Sequence, residues 1–394
     1  MKPGLLVYCQ HSVGIGHLTR SFAIAAALAS RFRVTFLNGG PMPDGIAAPA
    51  GVEVIDLPPL GMTTDGHALV ARDGIADVDE ARHRRRAAIL QAFERVQPSV
   101  LLVELFPFGR KKFAFELLPL LKHVRARHPA TVVVSSLRDI LVASRRDQQH
   151  HDDRAEWICR RHFDAVLVHA DAQLARLEET FRPRRALSTP VHYTGLVVPA
   201  MRDTPVPRWP ERPILVSAGG GIVGFPLFRC AILAHSQLDP RTAPPLRIIA
   251  GPFLPAAEWQ ELQGLVANHP RITLERSVPD LIAEMRAAAV SLSQCGYNTA
   301  LDIVRAGVPA LVVPYGAERE DEQRNRAQRL AQLGVLRSLP ESALTPAKLA
   351  AELQATLSFQ PRPNVLQLDG ARVTTDLLYA LVNRAEERTP CIAG

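Results

Sequence analysis

The chain is poor in cysteine and lacks long apolar runs, and each shortage excludes something. Its five cysteines (Cys9, Cys159, Cys230, Cys295, Cys391) are odd in number, scattered and never in a CxxC pair. That usage argues for a reducing cytoplasm and against a zinc site. No apolar run approaches the roughly 20 residues of a membrane helix. The opening GLLVYC, followed by His11 and a glycine turn, lacks the charged start, apolar middle and cleavage site of a signal peptide. A cytoplasmic protein is therefore expected. There is no short-period repeat or low-complexity tract.

What is present is an ordinary soluble composition, 47% hydrophobic and 22% charged. At 394 residues the chain exceeds one typical core, so two domains are expected. The net charge of +7 is uneven: residues 1–200 hold 26 Lys/Arg against 20 Asp/Glu, residues 201–394 hold 20 against 19. The excess lies in clusters such as Arg82-His83-Arg84-Arg85-Arg86, Arg110-Lys111-Lys112 and Arg182-Pro183-Arg184-Arg185. These read either as solvated helix faces or as a field for an anionic substrate or anionic membrane face. They lack interleaved aromatics, so nucleic acid is not expected. Phe106, Phe108, Phe113 and Phe115 beside one cluster extend the membrane reading to a peripheral contact.

Along the chain, an apolar strand at 4–9 runs into QHSVGIGHLTR. Gly14 and Gly16 permit a tight turn, and helical spacing begins at Leu18, so His17 is predicted at a helix N-terminus above the strand's C-terminal edge. In open α/β sheets ligands bind at that edge. The strand 99–103 delivers Glu104 to the same edge, where a carboxylate is costly unless paired or functional. A strand at 131–134 leads to Arg138 and Asp139, also at this edge. Residues 199–213 carry five prolines among charges and read as a linker. The second half repeats the plan: strand 214–217, then Gly219-Gly220-Gly221, able to approach a phosphate closely. Further on, Ser277 and Val278 come after a short strand. The stretch SQCGYNTALDIVRAGVPALVVPYG (293–316) reads as strand end, glycine turn, helix, glycine and buried strand. Ser293, Gly296, Asn298 and Thr299 crowd the helix start, where free N–H groups hold phosphate. Asp302 lies one turn inside, within reach of a sugar hydroxyl. Glu322 and Gln323 begin the next helix.

This combination resembles the glycosyltransferases of the GT-B fold. GxGHxxR after the first strand, the Pro-rich linker, GGG, and SxCGxNTALD…AGVPALVVP…EQ are closest to the family-28 type, which includes the peptidoglycan N-acetylglucosaminyltransferase. QHSVGIGHLTR, VELFPFGRKKFAFELLPLL, SSLRDIL and VHYTG look like a less characterised bacterial branch of that group. The resemblance implies two Rossmann-like doubly wound parallel-sheet domains facing across a cleft. They would be an acceptor domain (1–198), a linker (199–213), a nucleotide-sugar donor domain (214–370), and a helix and tail (371–394) packing back across both. It implies inverting transfer of a sugar, most simply from a UDP-sugar, to an acceptor hydroxyl, without metal or cofactor. His17 would take the acceptor proton and Glu104 orient it, with Gly14, Gly16, Arg138 and Asp139 on the acceptor side. Gly219–Gly221, Ser293, Gly296, Asn298 and Thr299 would hold the diphosphate. Asp302 would take the ribose, Ser277 and Val278 the base, and Glu322 and Gln323 the sugar. The strand-end segment YTGLVVP departs from the peptidoglycan enzyme, which has a proline and a basic residue there. Alternatives are a nucleotide-sugar hydrolase using the same histidine on water, and a nucleotide-sugar sensor or epimerase.

Overall fold

The computed structural model describes residues 2–11, 16–43, 46–62, 69–71, 77–138, 147–199, 204–316, 322–363 and 365–388. The chain divides into two compact units, Met1–Ala200 with Leu366–Gly394, and Met201–Val365.

In the first unit, β1 (Gly4–Cys9) leads to α1 (Gly16–Leu28), β2 (Arg33–Asn38) and β3 (Val52–Asp56). A hairpin not foreseen from sequence comes next, β4 (Leu60–Met62) and β5 (Leu69–Ala71). Then come α2 (Val78–Val96), β6 (Val100–Glu104), α3 (Ala114–Arg127), β7 (Val132–Leu137) and α4 (Gln148–His162). The unit continues with β8 (Ala165–Val168), α5 (Leu177–Thr180) and β9 (Val191–Tyr193). The sheet order is β3-β2-β1-β6-β7-β8-β9, and every pairing is parallel. All residues of β1, β6 and β7 are buried, as a sheet covered on both faces requires. One core lies under α2, α3 and α4, the other under α1. β7 runs three residues past the predicted strand, taking Ser135 and Ser136 into the sheet.

The second unit has β10 (Ile214–Ser217), α6 (Phe225–His235), β11 (Leu246–Ile249), α7 (Ala256–Val266), β12 (Ile272–Glu275) and α8 (Leu281–Ala287). It continues with β13 (Val290–Ser293), α9 (Tyr297–Ala306), β14 (Ala310–Val312), α10 (Glu322–Gln332), β15 (Arg337–Ser338) and α11 (Pro346–Leu357). Its parallel sheet has the order β12-β11-β10-β13-β14-β15, over a single core.

The last helix, α12 (Gly370–Arg388), belongs to the first unit. Leu378 and Val382 enter the core beneath α1, and Tyr379 meets Phe32 edge-on at 6.0 Å. Residues 366–370, expected in the second domain, also go with the first. Leu196 N donates to Gln367 O, Gly370 N to Leu196 O and Gln367 N to Asp171 Oδ2, fastening this segment before the helix begins. Phe106, Phe108 and Phe113 are buried in the first core and Phe115 packs against it, so they form no membrane-facing patch. No helix among the described residues is long and apolar enough to cross a membrane.

Candidate active site

Both sheets reverse direction of winding at one place, between β1 and β6 in the first unit and between β10 and β13 in the second. Loops leaving the carboxyl ends of strands on either side of such a point splay apart and leave a crevice. His17 follows β1 and Glu104 ends β6. Gly219–Gly221 follow β10 and Gly296 follows β13. His17, Glu104, Gly219–Gly221 and Gly296 therefore flank the two switch points, whereas Arg138 follows β7, Ser277 and Val278 follow β12, and Glu322 and Gln323 follow β14.

In the first unit, His17 is the second residue of α1, and its Nδ1 lies 2.6 Å from Glu104 Oε1. Arg20, one turn further along α1, donates from Nη2 to the same oxygen at 2.6 Å. Arg110 Nε stands 3.5 Å from Glu104 Oε2. Glu104 is 1% exposed. Burial alone would raise its carboxyl. The charge and hydrogen bond of His17 and the guanidinium charges of Arg110 and Arg20 outweigh that and hold it down at about 2. Burial lowers His17 from its ordinary value, against the pull of Glu104. At neutral pH His17, lowered by burial, is a neutral imidazole beside an ionised Glu104, which then rests on the hydrogen bond from His17 and on the guanidinium charges of Arg110 and Arg20. Nδ1–H donates to Glu104, which fixes the tautomer and leaves the Nε2 lone pair as a base. Cys9, beneath His17, is no rival nucleophile, since burial pushes its thiol up to about 12.

The loops around this pair are held by a second, fully buried group. Arg85 spends its donors on Glu116 (Nε to Oε2 and Nη2 to Oε1, both 2.8 Å), Gln10 Oε1 (2.7 Å), Gly39 O (3.1 Å) and Pro58 O (2.9 Å). Tyr8 OH donates to Glu116 as well. The basic run on α2 is therefore not one solvated face: Arg84 and Arg86 are exposed while Arg85 is buried. His11 is a buried turn residue, its Nε2 2.9 Å from Asn38 Oδ1. His169 is bonded to Ser136 and Thr194, and burial pushes it down to about 3. Gly16 opens α1 and Arg138 follows β7 at the same sheet edge, while Gly14 and Asp139 lie outside the described residues.

In the second unit, α9 starts at Gly296 with no side-chain cap. Its N-cap, Gly296, is a glycine and has no side chain with which to cap the helix, and the positive end of the helix dipole lies here. Ser293 ends β13 fully buried, and its Oγ has no hydrogen-bond partner among the described residues. Gly296 has φ −59° and ψ 156°, which any residue adopts. A Cβ built there would meet only Thr299 Oγ1, at 4.0 Å. Neither conformation nor packing against the described chain demands glycine. Gly221 differs: its φ of +95° and the nearby Ala250 carbonyl do demand it. Gly219, at φ +54°, faces open space, and a Cβ on Gly220 would strike the Phe253 ring.

Asp302 lies one turn into α9, and burial pushes its carboxyl up to about 6, against the pull of Arg305 and with some help from Asp280. Asp280 caps α8 just after Ser277 and Val278, which places that segment near Asp302. Glu322 and Gln323 open α10. Gln323 Oε1 accepts from Cys295 N (3.0 Å) and Tyr315 N (3.2 Å), so half of its amide is committed to joining two strand-end loops. Buried Arg326, one turn later, donates to Cys295 O at 2.9 Å.

Sequence reasoning missed Arg20, Arg85 with Glu116, and Arg326. Arg20 was legible only as the last letter of GxGHxxR. The others carry no local signal, because their partners lie 31 residues away in each case. Two cavities of about 490 and 620 Å³ open at the opposite, amino-terminal edge of the first sheet, lined by residues such as Pro129, Thr131 and Ala385. Neither includes His17 or Glu104.

Solved structures show the fold. The calicheamicin glycosyltransferase CalG4 superposes with a TM-score of 0.59 at 18% identity, covering 98% of this chain and 95% of that one. MurG of Acinetobacter baumannii gives 0.56 at 16%, covering 99% and 97%. The fold is GT-B.

Within it, residues 220–368 match the glycosyltransferase family 28 C-terminal domain, so the chain is family-28-like in its second unit. A 74-residue stretch is 39% identical to the UDP-N-acetylglucosamine--N-acetylmuramyl-(pentapeptide) pyrophosphoryl-undecaprenol N-acetylglucosamine transferase of Methylorubrum populi. That match covers 19% of this chain and 20% of the relative. The Rhizobium rhizogenes protein of the same name is 24% identical over 181 residues, 45% of this chain and 47% of its own length.

Proposed function

We propose that the chain is a glycosyltransferase that moves a sugar from a nucleotide-diphosphate sugar, a UDP-sugar first, to an acceptor hydroxyl with inversion and without a metal ion. The observation that carries this reading is the neutral His17 held by an ionised, arginine-bound Glu104 at the switch point of the first sheet. His17 Nε2 takes the acceptor's proton, and the acceptor oxygen bonds to the anomeric carbon. The bond from that carbon to the phosphate oxygen breaks, and the nucleoside diphosphate leaves with the electron pair. The imidazolium that forms is stabilised by Glu104. In the second unit, the positive dipole end at the start of α9 and the Gly219–Gly221 turn suit the diphosphate's growing charge. Asp302 suits the ribose hydroxyls, accepting hydrogen bonds that relieve its burial. The preference for UDP rests on the family-28 likeness and on the name of the Methylorubrum relative.

The test is nucleotide release from UDP-, dTDP- and GDP-sugars, with and without a bacterial lipid and metabolite extract, in wild type and His17→Ala. Release that requires both extract and His17 supports transfer. Release without extract that still requires His17 makes the protein a hydrolase. Donor binding with no turnover in either protein makes it a sensor.

Two variants probe the donor side. Gly296→Ala is expected to fold normally, with melting changed by no more than about 1 kcal/mol of capping preference. Nucleotide affinity should fall about tenfold or more, because the new methyl fills space reserved for phosphate. Unchanged affinity by calorimetric titration would remove the phosphate role. Asp302→Asn should weaken nucleotide binding yet stabilise the free protein. An acid raised by the fold to about 6 destabilises it once ionised. The wild type therefore loses stability as pH rises from about 4 through 6, by on the order of 2–3 kcal/mol. The variant should melt higher at pH 8, with the gain vanishing near pH 4. A melting difference independent of pH would contradict the buried-acid account.

A further inference from the structure

Away from His17, the carboxyl-terminal ends of α2 and α3 bring three side chains onto one point. His123 Nε2 lies 2.5 Å and His128 Nε2 3.1 Å from the same oxygen, Glu94 Oε1. The three atoms all fall within 4.8 Å of one another. We propose that Glu94, His123 and His128 form a binding site for a divalent transition-metal ion of the zinc kind.

Four observations support it. First, donors about 2.0–2.1 Å from a tetrahedral ion stand about 3.3 Å apart, so side-chain rotations of about an ångström bring this trio to that spacing. Second, both imidazoles pack edge-on against Phe93, with centroids at 6.3 and 5.1 Å, and Phe93 is fully buried. The rings are thus oriented by the core, although their edges reach solvent. Third, Gln97 Nε2 donates to the other carboxylate oxygen, Glu94 Oε2, at 2.7 Å, the kind of outer hydrogen bond that orients a metal-binding carboxylate. Fourth, both helices end here, with Gln97 and His128 as their C-caps, so their dipoles favour a cation. Two imidazole nitrogens with one carboxylate suit zinc, whereas magnesium and calcium prefer oxygen alone. The fourth position falls to water. The scarcity of paired cysteines, which argued against zinc, does not bear on a site that uses none.

The ion would staple α2 to α3 over one face of the first sheet, adding stability to that unit rather than taking part in transfer. The experiment is calorimetric titration of Zn²⁺ into metal-free full-length protein, with Co²⁺ absorption reporting tetrahedral geometry. One equivalent is expected, with a rise in melting temperature. The His123→Ala/His128→Ala double variant should lose at least about 100-fold in affinity and the thermal rise, and Gln97→Ala about tenfold. Glu94→Gln, which keeps the shape, should also weaken binding. His17→Ala should keep the full equivalent. Binding that survives the double variant, or disappears in His17→Ala, overturns the assignment, as does no binding at tens of micromolar zinc.

Discussion

His17→Ala is expected to slow transfer by about 10²–10⁴-fold while leaving nucleotide affinity unchanged. The rate falls because the acceptor hydroxyl loses its base. Affinity holds because the groups assigned to the nucleotide lie in the second unit, on loops after β10, β12 and β13. Steady-state kinetics beside a nucleotide titration separate the two, and a matching loss of affinity would mean that His17 is structural. The pH profile carries more. The base works only when neutral, and burial sets its titration below the ordinary histidine value. Activity should therefore be flat at neutral pH and fall only on acidification, through a pKa below the ordinary value of about 6.5. Glu104 opposes that lowering by stabilising the imidazolium. In Glu104→Gln the acid limb should move to still lower pH while the maximal rate drops, since the remaining base is weaker. An acid limb that moves upward would contradict the pair.

Glu116→Ala should be the most destabilising single change among these residues, costing about 3–5 kcal/mol. It leaves the Arg85 guanidinium charged, 0% exposed and without its carboxylate, and it removes the acceptor of the Tyr8 hydroxyl. Against a total stability of roughly 5–15 kcal/mol, that is enough to unfold a marginal domain. Arg84→Ala next door should cost under about 1 kcal/mol, since its bridge to Glu80 is exposed. Urea unfolding of the two variants measures the contrast. The damage should also reach activity, because Arg85 holds the Gln10 side chain and the Gly39 carbonyl at the exits of β1 and β2. If Glu116→Ala unfolds within about 1 kcal/mol of wild type, the buried pair is not what holds those loops.

The sequence by itself determined what depends on neighbours in the chain. Apolar runs of four to six residues gave the buried parallel strands, glycine turns marked where they stop, and helical spacing marked the helices after them. Strand ends and helix starts place side chains at a sheet's carboxyl edge, so His17, Glu104, Gly219–Gly221, Gly296 and Asp302 were legible as candidate site residues from position alone. The prolines of 199–213 read as a linker, whereas the second unit already begins at Met201. The tertiary structure decided everything that needed partners distant in sequence. It alone shows that Arg20 and Arg110 converge on Glu104, and so which way that carboxylate and its histidine are charged. It alone separates buried Arg85 from exposed Arg84 and Arg86, and moves four phenylalanines from a supposed membrane patch into or against the core. It returns residues 366–388 to the first unit, because a helix with an apolar stripe does not reveal which sheet it will cover. Local periodicity states that a side chain is buried or sits at an edge. Its charge state and role depend on what the strand order brings beside it.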